Sequence, residues 1–291
     1  MHAMVRTIPE IASSDPVVFP PRVVCQMLPS NRISLFDYFG ALRRHVELHH
    51  EYPGQTFVIV ADYQALSQFS KQLTLRTAAF ELATIYLALG LEWQKAVIFR
   101  ESDVPEIMEL AWIVSQLSGA EDDVAATPRA SGMSDGPRGD RYRLLSAADI
   151  LAVRGTLLST LPDADQAPHL VRALAGNLNR HFGSSVFPVP DIDQFAVSPL
   201  AEVDAMTANR LLKEIGVFHS FGVIRQKVRE HLPTIDAHAV ADLLYKYEYR
   251  DAYEQWKQRP GDVEEILRHG GIRARQEVAI TLEEVRAFAG I

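Results

Sequence analysis

The chain has 291 residues, of which 47% are hydrophobic and 23% charged, so it can bury a sizeable core and form one large domain with a smaller one. Its 37 Asp and Glu residues outnumber 29 Lys and Arg, and the net charge of −8 disfavours non-specific affinity for polyanions. The only cysteine, Cys25, excludes an intrachain disulfide and a structural zinc cage built from thiolates.

The N-terminal part of the chain carries no sign of a membrane or export segment. No apolar run approaches the roughly 18 to 20 residues that span a bilayer, and no charged segment is followed by an apolar one. We therefore expect a soluble, cytoplasmic protein. Residues 1–22 contain Pro16, Pro20 and Pro21 in a weakly patterned stretch, which predicts an N-terminal arm.

Strand and helix patterns alternate after the arm. The predicted strands are 23–25, 55–61 and 96–99, and the predicted helices are 35–52, 73–89 and 104–117. This alternation predicts parallel strands joined by right-handed crossovers, which is an α/β, Rossmann-like sheet over 23–199. Ligands of such sheets lie at the carboxyl ends of the strands.

The composition changes to Gly, Ser, Asp and Pro in residues 118–141, which predicts a mobile linker, either a simple loop or a lid. Helices are predicted at 142–153 and 166–182, with a short apolar segment at 156–161. From residue 200 onward only helices are predicted, at 210–232, 237–257 and 263–288. Residues 200–291 therefore form the predicted helical domain.

Several ordered segments resemble one enzyme family. Residues 28–52 read LPSNRISLFDYFGALRRHVELHHEY, similar to the tryptophanyl-tRNA synthetase pattern Q-P-S-G-x-h-T-I-G-N-Y-h-G-A-L followed by V-E-L-Q-x-E-Y. ADYQALS at 61–67, SDVPE at 102–106, AW at 111–112 and AADIL at 147–151 extend the match in the same order. The resemblance implies the fold of a class I aminoacyl-tRNA synthetase with a C-terminal helical domain.

The ATP-binding signatures of that family are altered here. In the family, T-I-G-N is the HIGH signature, and its glycine lets adenine lie on the backbone. The matching residues are Ser34, Leu35, Phe36 and Asp37, which puts a phenyl ring in the place of the base. The K-M-S-K-S signature is matched by AMTAN at 205–209, so Ala205 and Ala208 replace both lysines, and no basic loop motif occurs in 118–141. Since pyrophosphate release depends on such cations, we expect adenylate formation to be lost and the chain to be a degenerate paralogue.

The amino-acid pocket of the family is better retained. The resemblance implies that Asp149 accepts the indole N–H, and that Tyr142 and Gln166 hold the α-amino group. The alternative for Asp149 is a structural role within its helix. Departures at Gln26, Gln64 and Ser146, where the family has glycine, histidine and methionine, predict a remodelled pocket, and Asp62 with Gln64 follows a strand at the ligand-binding edge.

Other reactive residues have simpler interpretations. His45 and His49 lie four residues apart, a spacing that can bind a metal, but a solvated helix face is the favoured interpretation. Cys25 is interpreted as a buried small side chain rather than a nucleophile. We expect neither a metal nor a cofactor.

Three functions remain open at the level of sequence. The first is a module that binds tryptophan or a related indole amino acid; the second is a repurposed biosynthetic enzyme acting on tryptophan or on an aminoacyl-tRNA; the third is a divergent, active tryptophan–tRNA ligase.

The resemblance over 102–112, which includes Trp112, implies a homodimer. A basic spot at Arg225, Lys227 and Arg229 leaves tRNA contact open without supporting it strongly.

Overall fold

A computed structural model describes residues 17–66, 75–117, 137–160, 167–194, 199–200, 202–245 and 249–291. Most of the predicted arm, and residues 118–136 of the predicted linker, lie outside the described residues. None of the described helices is both long and apolar enough to cross a bilayer.

The first half of the described chain alternates strands and helices as predicted. In chain order its elements are β1 (Val23–Met27), α1 (Leu35–Asp37), a π-helical turn (Tyr38–Leu42), α2 (Arg43–Glu51), β2 (Thr56–Val60), α3 (Asp62–Ala65), α4 (Leu75–Ala88), β3 (Ala96–Arg100), a 3-10 turn (Glu101–Asp103) and α5 (Glu106–Gln116). The predicted helix 35–52 is thus one continuous helical segment, with a π-helical turn shortly after Phe36.

The second half adds two strands and then only helices. Its elements are α6 (Pro137–Ala152), β4 (Leu157–Thr160), α7 (Ala167–Phe182), β5 (Asp191–Gln194), α8 (Ala205–Glu214), α9 (Phe221–His231), α10 (Ala237–Leu244), α11 (Arg250–Lys257) and α12 (Pro260–Ala289). Residues 137–141, predicted as part of a mobile linker, form the start of α6 instead.

All five strands form one parallel sheet in the order β3-β2-β1-β4-β5. Val23 of β1 pairs with Thr56 of β2, which in turn pairs with Ala96 of β3, so the three strands end at the same level. Separate clusters of buried apolar side chains cover the two faces. This arrangement confirms the predicted α/β, Rossmann-like fold.

Strand β5 has no counterpart in the sequence prediction. It reads DIDQ, and it lies at the outer edge of the sheet, where Asp191 is exposed and Ile192 and Asp193 are half-buried. A polar edge strand lacks the continuous apolar run by which buried parallel strands are recognised.

The predicted helix 210–232 is two helices. The chain between α8 and α9 becomes extended and pairs with the segment before α1, because Leu35 N donates to Ile215 O at 2.7 Å and Val217 N donates to Ile33 O at 3.1 Å. Ile215 and Val217 are buried. Because both are apolar, the sequence pattern included them in one predicted helix. The predicted helix 237–257 is likewise divided, into α10 and α11.

Helix α12 packs against β3. Arg273 Nη1 donates to the backbone carbonyl of Ala96 at 2.9 Å, and a Cβ atom on Gly270 would lie 1.7 Å from the carbonyl oxygen of Ile98. The predicted helical domain at 200–291 therefore includes a helix that lies on the sheet. The domain boundary at residue 200 stays a prediction.

Candidate functional site

Polar side chains gather at the carboxyl ends of three neighbouring strands. Gln26 lies near the end of β1, Asp62 and Gln64 lie in the short helix α3 that follows β2, and Glu101 begins the turn after β3. Helix α6 contributes Asp149 to the same group. The topology therefore places these residues at the edge where α/β sheets bind ligands.

Asp149 is at the centre of this group. Its side chain is fully buried, and its Oδ2 atom accepts hydrogen bonds from the amides of Gln26 and Gln64, the latter at 2.6 Å. Its Oδ1 atom is buried and has no hydrogen-bond partner among the described residues. Burial raises the pKa of Asp149 well above its ordinary value, and the nearby Glu101 carboxyl raises it further, while the two amide hydrogen bonds lower it.

Ser146 orients the Gln26 amide. Its hydroxyl donates to Gln26 Oε1 at 2.7 Å, so the amide nitrogen of Gln26 is directed to Asp149. The three positions that depart from the family pattern, Gln26, Gln64 and Ser146, are thus brought together around one carboxyl. Their common effect is to hold one oxygen of Asp149 and to leave the other open.

Glu101 is a site residue that the sequence motifs did not indicate. It is fully buried, and its Oε2 atom accepts the backbone N–H of Gln64 at 3.2 Å. Its Oε1 atom is buried without a partner in the part of the chain that the structure describes. Burial, with a smaller contribution from Asp62, raises the pKa of Glu101 to about 8. A glutamate directly after the apolar strand β3 is the signal that could have identified it.

Asp62 ties the end of β2 to the turn after β3. Its carboxylate accepts the backbone N–H of Ser102 at 2.9 Å, the hydroxyl of Ser102 at 2.5 Å and the backbone N–H of Tyr63 at 3.1 Å. These contacts fix the loop that carries Glu101. Asp62 therefore orients the predicted pocket and adds a third carboxyl to it.

Tyr142 lies on the same face of α6 as Ser146 and Asp149, because the three are separated by four and three residues. Its side chain is half-buried, and its contact with the α-amino group stays a prediction. Gln166, the other predicted contact of the α-amino group, lies outside the described residues.

The three carboxyls have only neutral partners. Within the described chain, the hydrogen bonds to Asp62, Glu101 and Asp149 come from amides and a hydroxyl, and none comes from a cationic side chain. Buried acids without a cation favour a ligand that donates hydrogen bonds or carries positive charge.

The residues that match the HIGH signature form a helix start. Ser34 and Asp37 make a capping box, in which the Ser34 N–H donates to Asp37 Oδ2 at 2.7 Å and the Asp37 N–H donates to Ser34 Oγ at 3.3 Å. Phe36 is half-buried against the core, and Lys213 Nζ lies 4.7 Å from the centroid of its ring. Lys213, a cation at this place, was not identified from the sequence.

The residues that match K-M-S-K-S open helix α8. Asp204 caps this helix by accepting the N–H of Thr207 at 3.0 Å. Ala205 is exposed, whereas Ala208 is fully buried and faces the core. The structure therefore gives the two positions different environments.

The histidines of α2 do not form a solvated face, so that prediction is wrong. His45 and His49 are buried, and only His50 is exposed. His45 Nδ1 lies 2.7 Å from the Tyr86 hydroxyl, and burial lowers the pKa of His45 to about 3. His49, His50 and Glu92 have ligand atoms within 4.8 Å of one another, but His49 Nε2 already accepts the Glu92 N–H at 3.2 Å.

Cys25 is buried in β1, in agreement with its predicted structural role. Burial raises the pKa of its thiol, and the negative charge of Asp193 adds to the shift. A thiol without access to solvent and with a raised pKa is a poor nucleophile.

A family model described as tRNA synthetases class I (W and Y) matches residues 19–204, more than half of the chain. The chain belongs to this family. The tryptophan–tRNA ligase of Fusobacterium nucleatum is 30% identical over 184 residues, which are 59% of this chain and 54% of the ligase. That of Caulobacter vibrioides is 34% identical over 178 residues, 59% of this chain and 51% of the ligase. The synthetase-family chain thus spans about half the length of these curated relatives.

Solved structures show the same fold. The tryptophanyl-tRNA synthetase of Campylobacter jejuni superposes with a TM-score of 0.75 at 22% identity, covering 94% of this chain and 100% of that one. The structure of the Campylobacter jejuni synthetase complexed with ADP and tryptophan gives a TM-score of 0.72 at 21% identity over 93% of this chain and 100% of that one. These comparisons confirm the family resemblance of the synthetase-family chain and its class I fold.

Proposed function

We propose that this synthetase-family protein binds tryptophan or a related indole amino acid at Asp149 and does not form an aminoacyl-adenylate. Binding of an indole is supported by the difference between the two carboxyl oxygens of Asp149. One carboxyl oxygen is held by two amides, while the other is buried without a partner among the described residues. A buried acceptor left in this state has a high desolvation cost, which a ligand N–H would remove.

The orientation of Asp149 favours discrimination between ligands. Because Gln26 and Gln64 fix Oδ2, the open Oδ1 cannot turn to another partner without breaking two hydrogen bonds. A site built this way rejects a ligand that lacks the matching N–H, since the acceptor would stay unpaired. The Campylobacter jejuni synthetase, solved as a complex with ADP and tryptophan, supports an indole as the ring.

The second half of the proposal rests on the region of α1 and α8. The Phe36 side chain occupies the position at which the family has glycine, and it packs against the core with Lys213 over its ring. Ala208 faces the interior, so this position offers no phosphate contact. Loss of one electrostatic contact in the transition state commonly costs about 3 to 4 kcal/mol, and several contacts are altered here.

Binding of tryptophan is tested by isothermal calorimetry on the wild-type chain, Asp149→Ala and Asp251→Ala. Asp251 is an exposed acid on α11 and is the matched control. We expect the Asp149 variant to lose at least about 100-fold in affinity and the control to keep it. Unchanged affinity in Asp149→Ala, with circular dichroism showing a folded protein, would refute the assignment of this pocket.

Adenylate formation is tested by tryptophan-dependent pyrophosphate exchange, for which we expect no signal. Measurable exchange would instead establish the divergent ligase, with Lys213 as a cation beside the altered signature. Turnover of tryptophan without exchange would identify the repurposed enzyme.

We also infer that the chain forms a homodimer through α5. Trp112 is 67% exposed and Met108, one turn earlier, is 43% exposed, which together make an apolar surface on this helix. Glu106 and Glu109 beside them pair with Arg275 and Arg286 of the same chain, so the flanking charges are satisfied without a partner.

A further inference from the structure

Two carboxyl oxygens at the site are unmatched, and they belong to different residues. Asp149 Oδ1 and Glu101 Oε1 are both buried, and neither has a hydrogen-bond partner in the described residues. Both side chains are fully buried. An indole ring has one N–H, so it can satisfy one of these oxygens and leaves the other without a donor.

The two residues belong to one hydrogen-bonded unit. Gln64 donates its backbone N–H to Glu101 Oε2 at 3.2 Å and its side-chain amide to Asp149 Oδ2 at 2.6 Å. The free oxygen of each carboxyl is therefore the one that Gln64 does not use. Gln64 therefore holds both acids through the oxygens that are already matched.

The charge of the site decides what the second donor is. Asp62, bound by Ser102 and Tyr63, lies close enough to raise the pKa of both Glu101 and Asp149. In their ionised form, three acids that receive only amide and hydroxyl donors from the described chain attract a cation and repel an anion. An ammonium group meets both needs, because it donates hydrogen bonds and carries positive charge.

We propose that Glu101 holds the ammonium group of the ligand, and that the ligand class of this pocket is an indole amine for which a carboxylate is not required. The inference rests on the proposed indole site at Asp149. It adds a second recognition residue, and it widens the ligand class from amino acids to amines such as tryptamine.

Three probes separate these features. Tryptamine keeps the ring N–H and the ammonium, indole-3-propionate keeps the ring N–H and a carboxylate, and tryptophan has all three groups. We expect the wild-type chain to bind tryptamine at least as tightly as tryptophan, and indole-3-propionate at least about tenfold more weakly than either. Calorimetry at about pH 8.5, above the pKa of about 8 at which Glu101 loses its proton, measures the three affinities.

Glu101→Gln removes the charge and keeps the size of the side chain. We expect tryptamine to bind about tenfold or more weaker in this variant and indole-3-propionate to bind more tightly, since the repulsion is reduced. A merely structural role for Glu101 would weaken all three ligands alike. Glu283→Gln, an exposed acid on α12, is the control, and thermal unfolding verifies that both variants are folded.

The outcomes distinguish this inference from the function on which it rests. Equal binding of indole-3-propionate and tryptamine would overturn the role of Glu101, and a clear preference for tryptophan over tryptamine would overturn the wider ligand class; both results leave the indole site at Asp149 intact. Absence of binding for all three probes would overturn both.

Discussion

Glu101 combines a structural cost with the binding role proposed for it. It is buried next to two other acids, and its pKa is raised to about 8 from an ordinary value of 4.5. The unfolded chain therefore releases this proton at lower pH than the folded chain does. Stability from this group is fully present below about pH 4.5, and it is lost as the pH rises through about 8.

The prediction is that Glu101→Gln removes this pH dependence. Between about pH 5.5 and 8.5, the free energy of unfolding of the wild-type chain should fall relative to the variant, with a slope of at most roughly 1.4 kcal/mol per pH unit. Urea unfolding of both proteins across this range measures the difference, which includes the effect of Glu101 on the pKa of Asp149. Parallel curves would show that Glu101 is not protonated in the folded state.

Phe36 is the residue on which the proposed loss of ATP binding depends. If its ring fills the place of adenine, Phe36→Gly should open that space and give measurable ATP binding where the wild-type chain has none. Phe36→Leu, which keeps most of the side-chain bulk, is the matched control. Thermal shift with ATP measures the effect, and stabilisation of the wild-type chain by ATP would contradict the steric argument.

The residues of the candidate site show what single-sequence reasoning can and cannot find. Asp149, Gln64 and Ser146 were predicted from the family resemblance, and the structure joins them through hydrogen bonds. Glu101 was missed because the recognised motif begins one residue later. Lys213 was missed because its approach to Phe36 depends on the packing of α8 against α1, two helices that are far apart in the chain.

At the scale of elements, periodicity predicted the strands and helices that have one clear apolar face. It did not predict β5, whose polar residues lie at the edge of the sheet, and it joined α8 to α9 across the buried Ile215 and Val217. In both cases tertiary pairing, rather than local preference, decides the conformation.

The contact between α12 and β3 depends on a glycine. Because a Cβ on Gly270 would lie 1.7 Å from the Ile98 carbonyl oxygen, Gly270→Ala must displace the helix or the strand. We expect a loss of about 1 to 3 kcal/mol or more in the free energy of unfolding, measured by urea denaturation. Gly261→Ala in the same helix is the control, because a Cβ atom added there would have no contact within 4 Å outside its own turn of helix. It should change the free energy of unfolding by less than about 1 kcal/mol. Similar effects of the two substitutions would contradict this packing.

For the whole molecule, the exposed apolar surface of Trp112 and Met108 on α5 supports the proposed homodimer. We expect light scattering at micromolar concentration to give twice the mass of one chain, and Trp112→Glu to give the mass of a single chain, because a buried charge opposes association. Met206→Glu, at an apolar residue that is 81% exposed on α8, is the control and should remain dimeric. A wild-type chain with the mass of one copy would exclude this interface.

The position of β3 has a consequence for how the protein is made. Among the described strands, β3 pairs only with β2. The helix α12, which packs against β3, donates a hydrogen bond to it from a residue 177 positions further along the chain. During translation this edge of the sheet stays exposed until α12 emerges from the ribosome. Exposed edge strands can pair with strands of other chains and so promote aggregation. The nascent chain therefore passes through a stage in which the unpaired edge of β3 is exposed and can be bound by a chaperone.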